Sequence, residues 1–143
     1  MRVAAAWMLP CLLVAASPVA AAQCGVTVVG VTFGSYDVFN ALDTDVAGTI
    51  NVSCDSASSY SISLSPGFGS FLARRMTNGV NLLVYNLFTD PQRLSIWGDG
   101  SGGTSTVSGT GTGGSYTVFG RIPAAQNAAV GSYSDTIVVT VTY

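Results

Sequence analysis

The stretch Gly131-Ser-Tyr-Ser-Asp-Thr-Ile-Val-Val-Thr-Val-Thr-Tyr143 constrains this chain more than any other. A turn at Gly131-Ser132 precedes a run in which Tyr133, Asp135, Ile137, Val139, Val141 and Tyr143 fall on one face. Ser134, Thr136, Val138, Thr140 and Thr142 fall on the other. Strict alternation carried by β-branched residues predicts a strand with one buried face. It is the last segment of the sequence, and an apolar strand with a bare edge is a template for association. The question the sequence raises is what lies along that edge.

The opposite end reads as a leader. Met1-Arg2 supplies one positive charge, Val3 to Val14 is apolar, and Ser17-Pro18-Val19-Ala20-Ala21-Ala22 offers small-residue cleavage sites. This is the three-part layout of a secretory signal peptide. The run approaches the roughly 20 residues that span a bilayer, but Pro10, Pro18 and the alanine-rich end favour removal, after Ala22 or otherwise Ala20. The expectation is a signal peptide over 1–22 and one domain over 23–143, enough chain for one core.

From Gln23 onward there is no His, Lys or Glu, and four arginines face seven aspartates. So sparse a charge leaves no footprint for nucleic acid or anionic lipid. Glycine, serine, threonine and valine dominate, which predicts an all-β chain. Cys11 leaves with the leader, and Cys24 and Cys54 then have one way to pair in an oxidising compartment. Closing that loop stabilises the domain by roughly 3.5–4 kcal/mol in the chain-entropy model. Lipidation of Cys24 is the alternative, and Gln23 argues against it by standing where a small residue is needed.

Cys24 to Phe33 reads as a first strand, with Val26 and Val28 on one face and Val29, Val31 and Phe33 on the other. Tyr36 to Gly48 has loop composition. Thr49–Cys54 and Tyr60–Ser65 read as second and third strands, and Leu82–Phe88 as a fourth after a turn at Asn78-Gly79. Leu94 to Trp97 adds a short strand. Gly98 to Gly114 holds eight of the chain's 17 glycines and reads as a mobile surface loop. Ser115 to Ile122 resumes a strand before the final one. Short strands separated by turn signals predict an antiparallel sandwich.

The inventory for catalysis is poor. Without histidine the serines lack their usual base, and the aspartates fall mostly in expected loops, so no enzyme, cofactor or metal site is predicted. Trp97-Gly98-Asp99-Gly100 is the most specific-looking cluster, and a tight turn beside a buried Trp explains it better than a ligand contact. Asn51-Val52-Ser53 matches a glycosylation sequon by chance, in mid-strand. Arg74 and Arg75 read as a solvated loop edge in preference to a partner contact.

Certain runs resemble a known family. They are Phe33-Gly-Ser-Tyr-Asp37, Gly48-Thr-Ile-Asn-Val-Ser-Cys54, Tyr60-Ser-Ile-Ser-Leu-Ser65, Arg75-Met76, Leu83-Val-Tyr-Asn-Leu87, Trp97-Gly-Asp-Gly100, Gly120-Arg-Ile-Pro-Ala-Ala-Gln126 and Gly131 to Val141. Together they resemble the spore coat protein U domain, which includes the Csu-type subunits of archaic chaperone–usher pili. The resemblance implies an incomplete immunoglobulin-like antiparallel β-sandwich, completed by a donor strand from another chain. It implies as partners a periplasmic pilus chaperone, an outer-membrane usher and a neighbouring pilus subunit, with the periplasm in transit and the cell-surface fimbrium as locations. The acceptor groove so implied involves Val26, Val28, Ile137, Val139, Val141 and Tyr143. Tyr36, Phe68 and Trp97 are candidate contacts to a host or abiotic surface. Only one to three residues, Gln23 or Ala21-Ala22-Gln23, would precede Cys24 after cleavage. The expectation is a subunit that accepts a strand without donating one, at a tip or minor position. A coat protein assembled without an usher is the alternative.

Overall fold

The structure, a computed structural model, describes residues 20–143, so the expected leader lies almost wholly outside the described residues. All described regular structure is β: β1 (Cys24–Val29), β2 (Thr44–Leu64), β3 (Gly69–Ser70), β4 (Ala73–Asn78), β5 (Asn81–Phe88), β6 (Val107–Ile122) and β7 (Val139–Thr142). Every ladder is antiparallel, in the order β1-β2-β6-β5-β4-β3, with β7 added to β2. The all-β expectation holds.

The core forms where alternating residues of two layers meet. Ile50, Val52, Cys54, Tyr60, Ile62 and Leu64 of β2, with Val118 and Ile122 of β6, face Met76 of β4 and Leu83, Tyr85 and Leu87 of β5. The two expected strands Thr49–Cys54 and Tyr60–Ser65 are halves of the 21-residue β2. The register shifts in between, where Ser53 to Ser58 runs against Gly113 to Gly111 of β6. That irregularity absorbs the turn-like residues Asp55 to Ser59 without reversing the chain.

The glycine-rich segment also departs from expectation. Its second half is not a loop: Val107 to Gly114 begins the 16-residue β6 and ladders onto β2. Glycine is needed there because Tyr60 and Tyr116 cover the strand, their hydroxyls 2.7 Å apart, and a Cβ at Gly109 would meet both side chains. The hydrogen bond to Tyr60, with burial, pushes the Tyr116 hydroxyl up to about 12. Aromatic side chains supply the contact area that glycine lacks.

Arg74 is not a loop residue either. It lies in β4, fully buried at 0% exposure. Its Nε and Nη2 donate to the Ser65 carbonyl at 3.1 and 2.8 Å, Nη1 to Asn86 Oδ1 at 2.7 Å, and Nη2 also to the Trp97 carbonyl at 2.7 Å. Burial lowers its pKa, against the charges of Tyr85 and Asp135. Trp97 is equally buried and donates its indole N–H to the Ile62 carbonyl at 3.0 Å. As a surface-binding residue it is ruled out by that burial. Outside the core, the Arg121 guanidinium grips both oxygens of Asp45 at 2.7 Å and holds its carboxyl below the usual range.

Replacing Arg74 strands the Ser65 and Trp97 carbonyls in the core and leaves Asn86 Oδ1 with only the Leu87 N–H. Arg74→Met is expected to lose about 3 kcal/mol or more, since each buried unsatisfied group costs about 1–3 kcal/mol, and a urea midpoint shift measures it.

Candidate functional site: a cleft between the first and last segments

β1 runs along β2 from Cys24 opposite Cys54 to Val29 opposite Thr49, and the disulfide joins the first of these pairs. The expected first strand extended to Phe33, but the ladder stops at Val29 because the chain then turns inward. Val31 and Phe33 pack over Gly120, where a Cβ would sit 2.7 Å from Val31 and 2.9 Å from Phe33. Phe33 meets Tyr85 edge-on at 5.8 Å. Gly30 to Tyr36 therefore crosses the end of the sandwich without a ladder partner among the described residues.

The last segment approaches from the other side. Ser134 exchanges backbone hydrogen bonds with Thr77 of β4 at 2.9 and 3.1 Å. The chain then crosses to β2, where Val139 to Thr142 pair with Leu64 to Ser61. Only those four residues form a ladder, yet the expected alternation holds: Tyr133, Asp135, Ile137, Val139 and Val141 are half-buried, and the residues between them exposed. Tyr85 Oη donates to Asp135 Oδ2 at 2.6 Å, and the Phe68 N–H donates to Oδ1 at 3.0 Å. Burial first, then that carboxylate, raises the Tyr85 pKa far above its ordinary value.

Between these two lips lies a cleft of about 590 Å³. One wall is Val28 to Tyr36, the other Gly131 to Asp135 with Ile137 and Val139, and the floor is apolar core that includes Ile50, Leu64, Leu83 and Ile122. A second hollow of about 390 Å³ continues past Tyr36 and Tyr133 towards Val38 and Ala129. Both β1 and β7 pair only with β2 among the described residues, so each carries a free backbone edge. The floor offers burial and the lips offer hydrogen bonds, the two requirements of a strand-binding slot.

Of the residues expected to form a groove, Val28, Ile137 and Val139 line the cleft. Val26 faces the same side of β1 but lies beyond the cleft, Val141 packs on the core outside it, and Tyr143, 52% exposed, lies past the ladder. Sequence reasoning missed Val29, Val31, Phe33 and Tyr133. The signal for the first three was visible as the opposite face of the first strand, and the inward turn at Gly30 was not. Among the surface candidates, Tyr36 is packed, its hydroxyl donating to the Pro123 carbonyl and accepting from the Gln126 N–H. Phe68 is 55% exposed. Among the described residues no group of three or more acidic, cysteine or histidine side chains could hold a metal.

The family model described as Spore Coat Protein U domain matches residues 11–140. The chain belongs to this family. Among curated proteins, Protein U of Myxococcus xanthus is 37% identical over 125 residues, spanning 78% of this coat protein U chain and 70% of the relative. Among solved structures, a chain of the CsuC–CsuE chaperone–tip adhesion subunit pre-assembly complex, from the archaic chaperone–usher Csu pili of Acinetobacter baumannii, aligns with a TM-score of 0.63 and 22% identity. That match covers 86% of this chain and 40% of the other, so the coat protein U domain spans less than half of the solved chain. The likeness shows the fold alone, an all-β antiparallel one.

The disulfide anchors the lip that β1 launches. Its loop spans 30 residues of sequence, and replacing both cysteines (Cys24→Ser with Cys54→Ser) is expected to remove about 3.5–4 kcal/mol, read as a lowered urea midpoint. An unchanged midpoint would mean that the β1–β2 ladder holds the lip unaided.

Proposed function

We propose that this coat protein U domain is a structural subunit of an archaic chaperone–usher type pilus and that its cleft accepts a β-strand from another chain. The observation that carries this is the apolar cleft flanked by two lips, β1 with the segment after it and β7 with the segment before it, each with a backbone edge unpaired among the described residues. Its partners are a periplasmic chaperone first and a neighbouring subunit afterwards, with an outer-membrane usher directing the exchange. The route begins with a leader at 1–22, passes through the periplasm and ends at the cell surface. Five inward apolar side chains of a donor, at roughly 1.5–3 kcal/mol each, contribute on the order of 8–15 kcal/mol gross. That rivals the stability of a whole domain, so the subunit on its own is marginally stable.

A tip or minor position follows from the tethered first strand. β1 is laddered to β2 from Cys24 onward and covalently tied at that residue, so it belongs to this subunit's own sheet and is not free to be lent. With the leader removed at Ala20 or Ala22, the residues ahead of Cys24 are too few to make a donor. Phe68, exposed on its loop, is available for contact with a host or abiotic surface. A second reading, a coat protein assembled without an usher, draws on the 37% identity to Protein U. Deleting an usher gene and looking for this protein on the cell surface separates the two.

Val139 lines the cleft and pairs with Leu64. Val139→Asp places a carboxylate where a donor strand would bury it, at a cost of several kcal/mol. Capture by the chaperone, followed by co-purification, is expected to fall at least about 100-fold while export continues. Undiminished capture would put the acceptor site elsewhere.

A further inference from the structure

Among the residues that line the cleft, Asp135 alone carries a charge. Its Oδ1 accepts from the Phe68 N–H at 3.0 Å and the Thr136 N–H at 2.8 Å, while Oδ2 accepts only from Tyr85 Oη, at 2.6 Å. A carboxylate has about four acceptor positions, so one on Oδ2 remains for water while the cleft stands open. A strand laid in the cleft removes that water. If the strand presents an apolar side chain there, the acceptor is buried without a partner; if it presents a hydroxyl, the acceptor is paired. A second cation is a poorer fit, because Arg74 already supplies positive charge behind Asp135 and its N–H groups are engaged with Ser65, Asn86 and Trp97.

We propose that Asp135 selects the incoming strand and fixes its register, the occupant being an extended segment whose alternate apolar side chains are interrupted by one serine or threonine that donates to Asp135 Oδ2. This rests on the strand-accepting function above and adds a sequence requirement to it. The register follows from geometry. A slip of one residue turns every side chain to the wrong face. A slip of two carries the hydroxyl onto Ile137 or Tyr133 and sets an apolar side chain against the carboxylate. One buried polar contact fixes alignment in coiled coils on the same logic, since misaligned pairing leaves it unpaired.

The test uses the mature protein and a synthetic host peptide with valine at five alternate positions and glutamine at the others. Serine replaces each valine in turn, and binding is read by fluorescence anisotropy. Serine is expected to strengthen binding roughly three- to tenfold at one position and to weaken it at the rest. In Asp135→Val the preference for serine over valine disappears at that position, whatever the affinity for the host peptide. If that variant fails to fold, the wild-type scan decides alone. Serine weakening binding equally at all five positions overturns the role of Asp135 but leaves the strand-accepting function standing. Failure of host and variant peptides alike to bind overturns both.

Discussion

One edge of one strand organises this molecule. β2 gives its first edge to β6 along nearly its whole length, and divides the second between β1, along Thr49–Cys54, and β7, along Ser61–Leu64. Neither short strand has a further neighbour among the described residues. Buried backbone amides and carbonyls need partners, and an apolar cleft beside unpaired backbone is what strand addition exploits. The cleft is thus a direct result of how the sheet is divided.

The walls of the cleft are held by polar contacts set into the core. Arg74 joins the end of β2, the middle of β5 and the Trp97 turn through four hydrogen bonds. Asp135 ties the last segment to Tyr85 of β5 and to the Phe68 turn. Without such ties the crossing segments would have only side-chain packing to position them. Each contact is satisfied in the subunit alone, and among the described residues no buried side-chain nitrogen or oxygen lacks a partner. The interior is complete where the two layers meet, and open at the end where Gly30 to Tyr36 and the last segment part.

Much of this was legible in the residues. The alternation from Tyr133 to Thr142 and the pairing of Cys24 with Cys54 follow from spacing and cysteine count, and both hold. Three features were hidden because they depend on distant partners. Val107 to Gly114 carries a loop's composition, and becomes strand only because two tyrosines lie over it. Arg74 looks solvated in sequence, since nothing local announces three acceptors from Ser65, Asn86 and Trp97. The inward turn at Gly30 depends on Gly120, far along the chain, leaving room for Val31 and Phe33. Asp135 was visible as an inward-facing acid in an apolar row, an anomaly whose explanation needed Tyr85 and Phe68 in place.

Coupling between lips and floor has a consequence for assembly. A donor strand would supply backbone partners to both lips and cover the floor at once, so binding and completion of the fold become one event. Amide hydrogen exchange on the mature subunit, alone and bound to a strand-donating partner, measures this directly. Amides of Gly30 to Tyr36 and of Asp135 and Ile137 should exchange rapidly in the free protein and become strongly protected in the complex, while β2 and β6 change little. Protection of both lips already at its full level in an isolated, monomeric subunit would contradict the account.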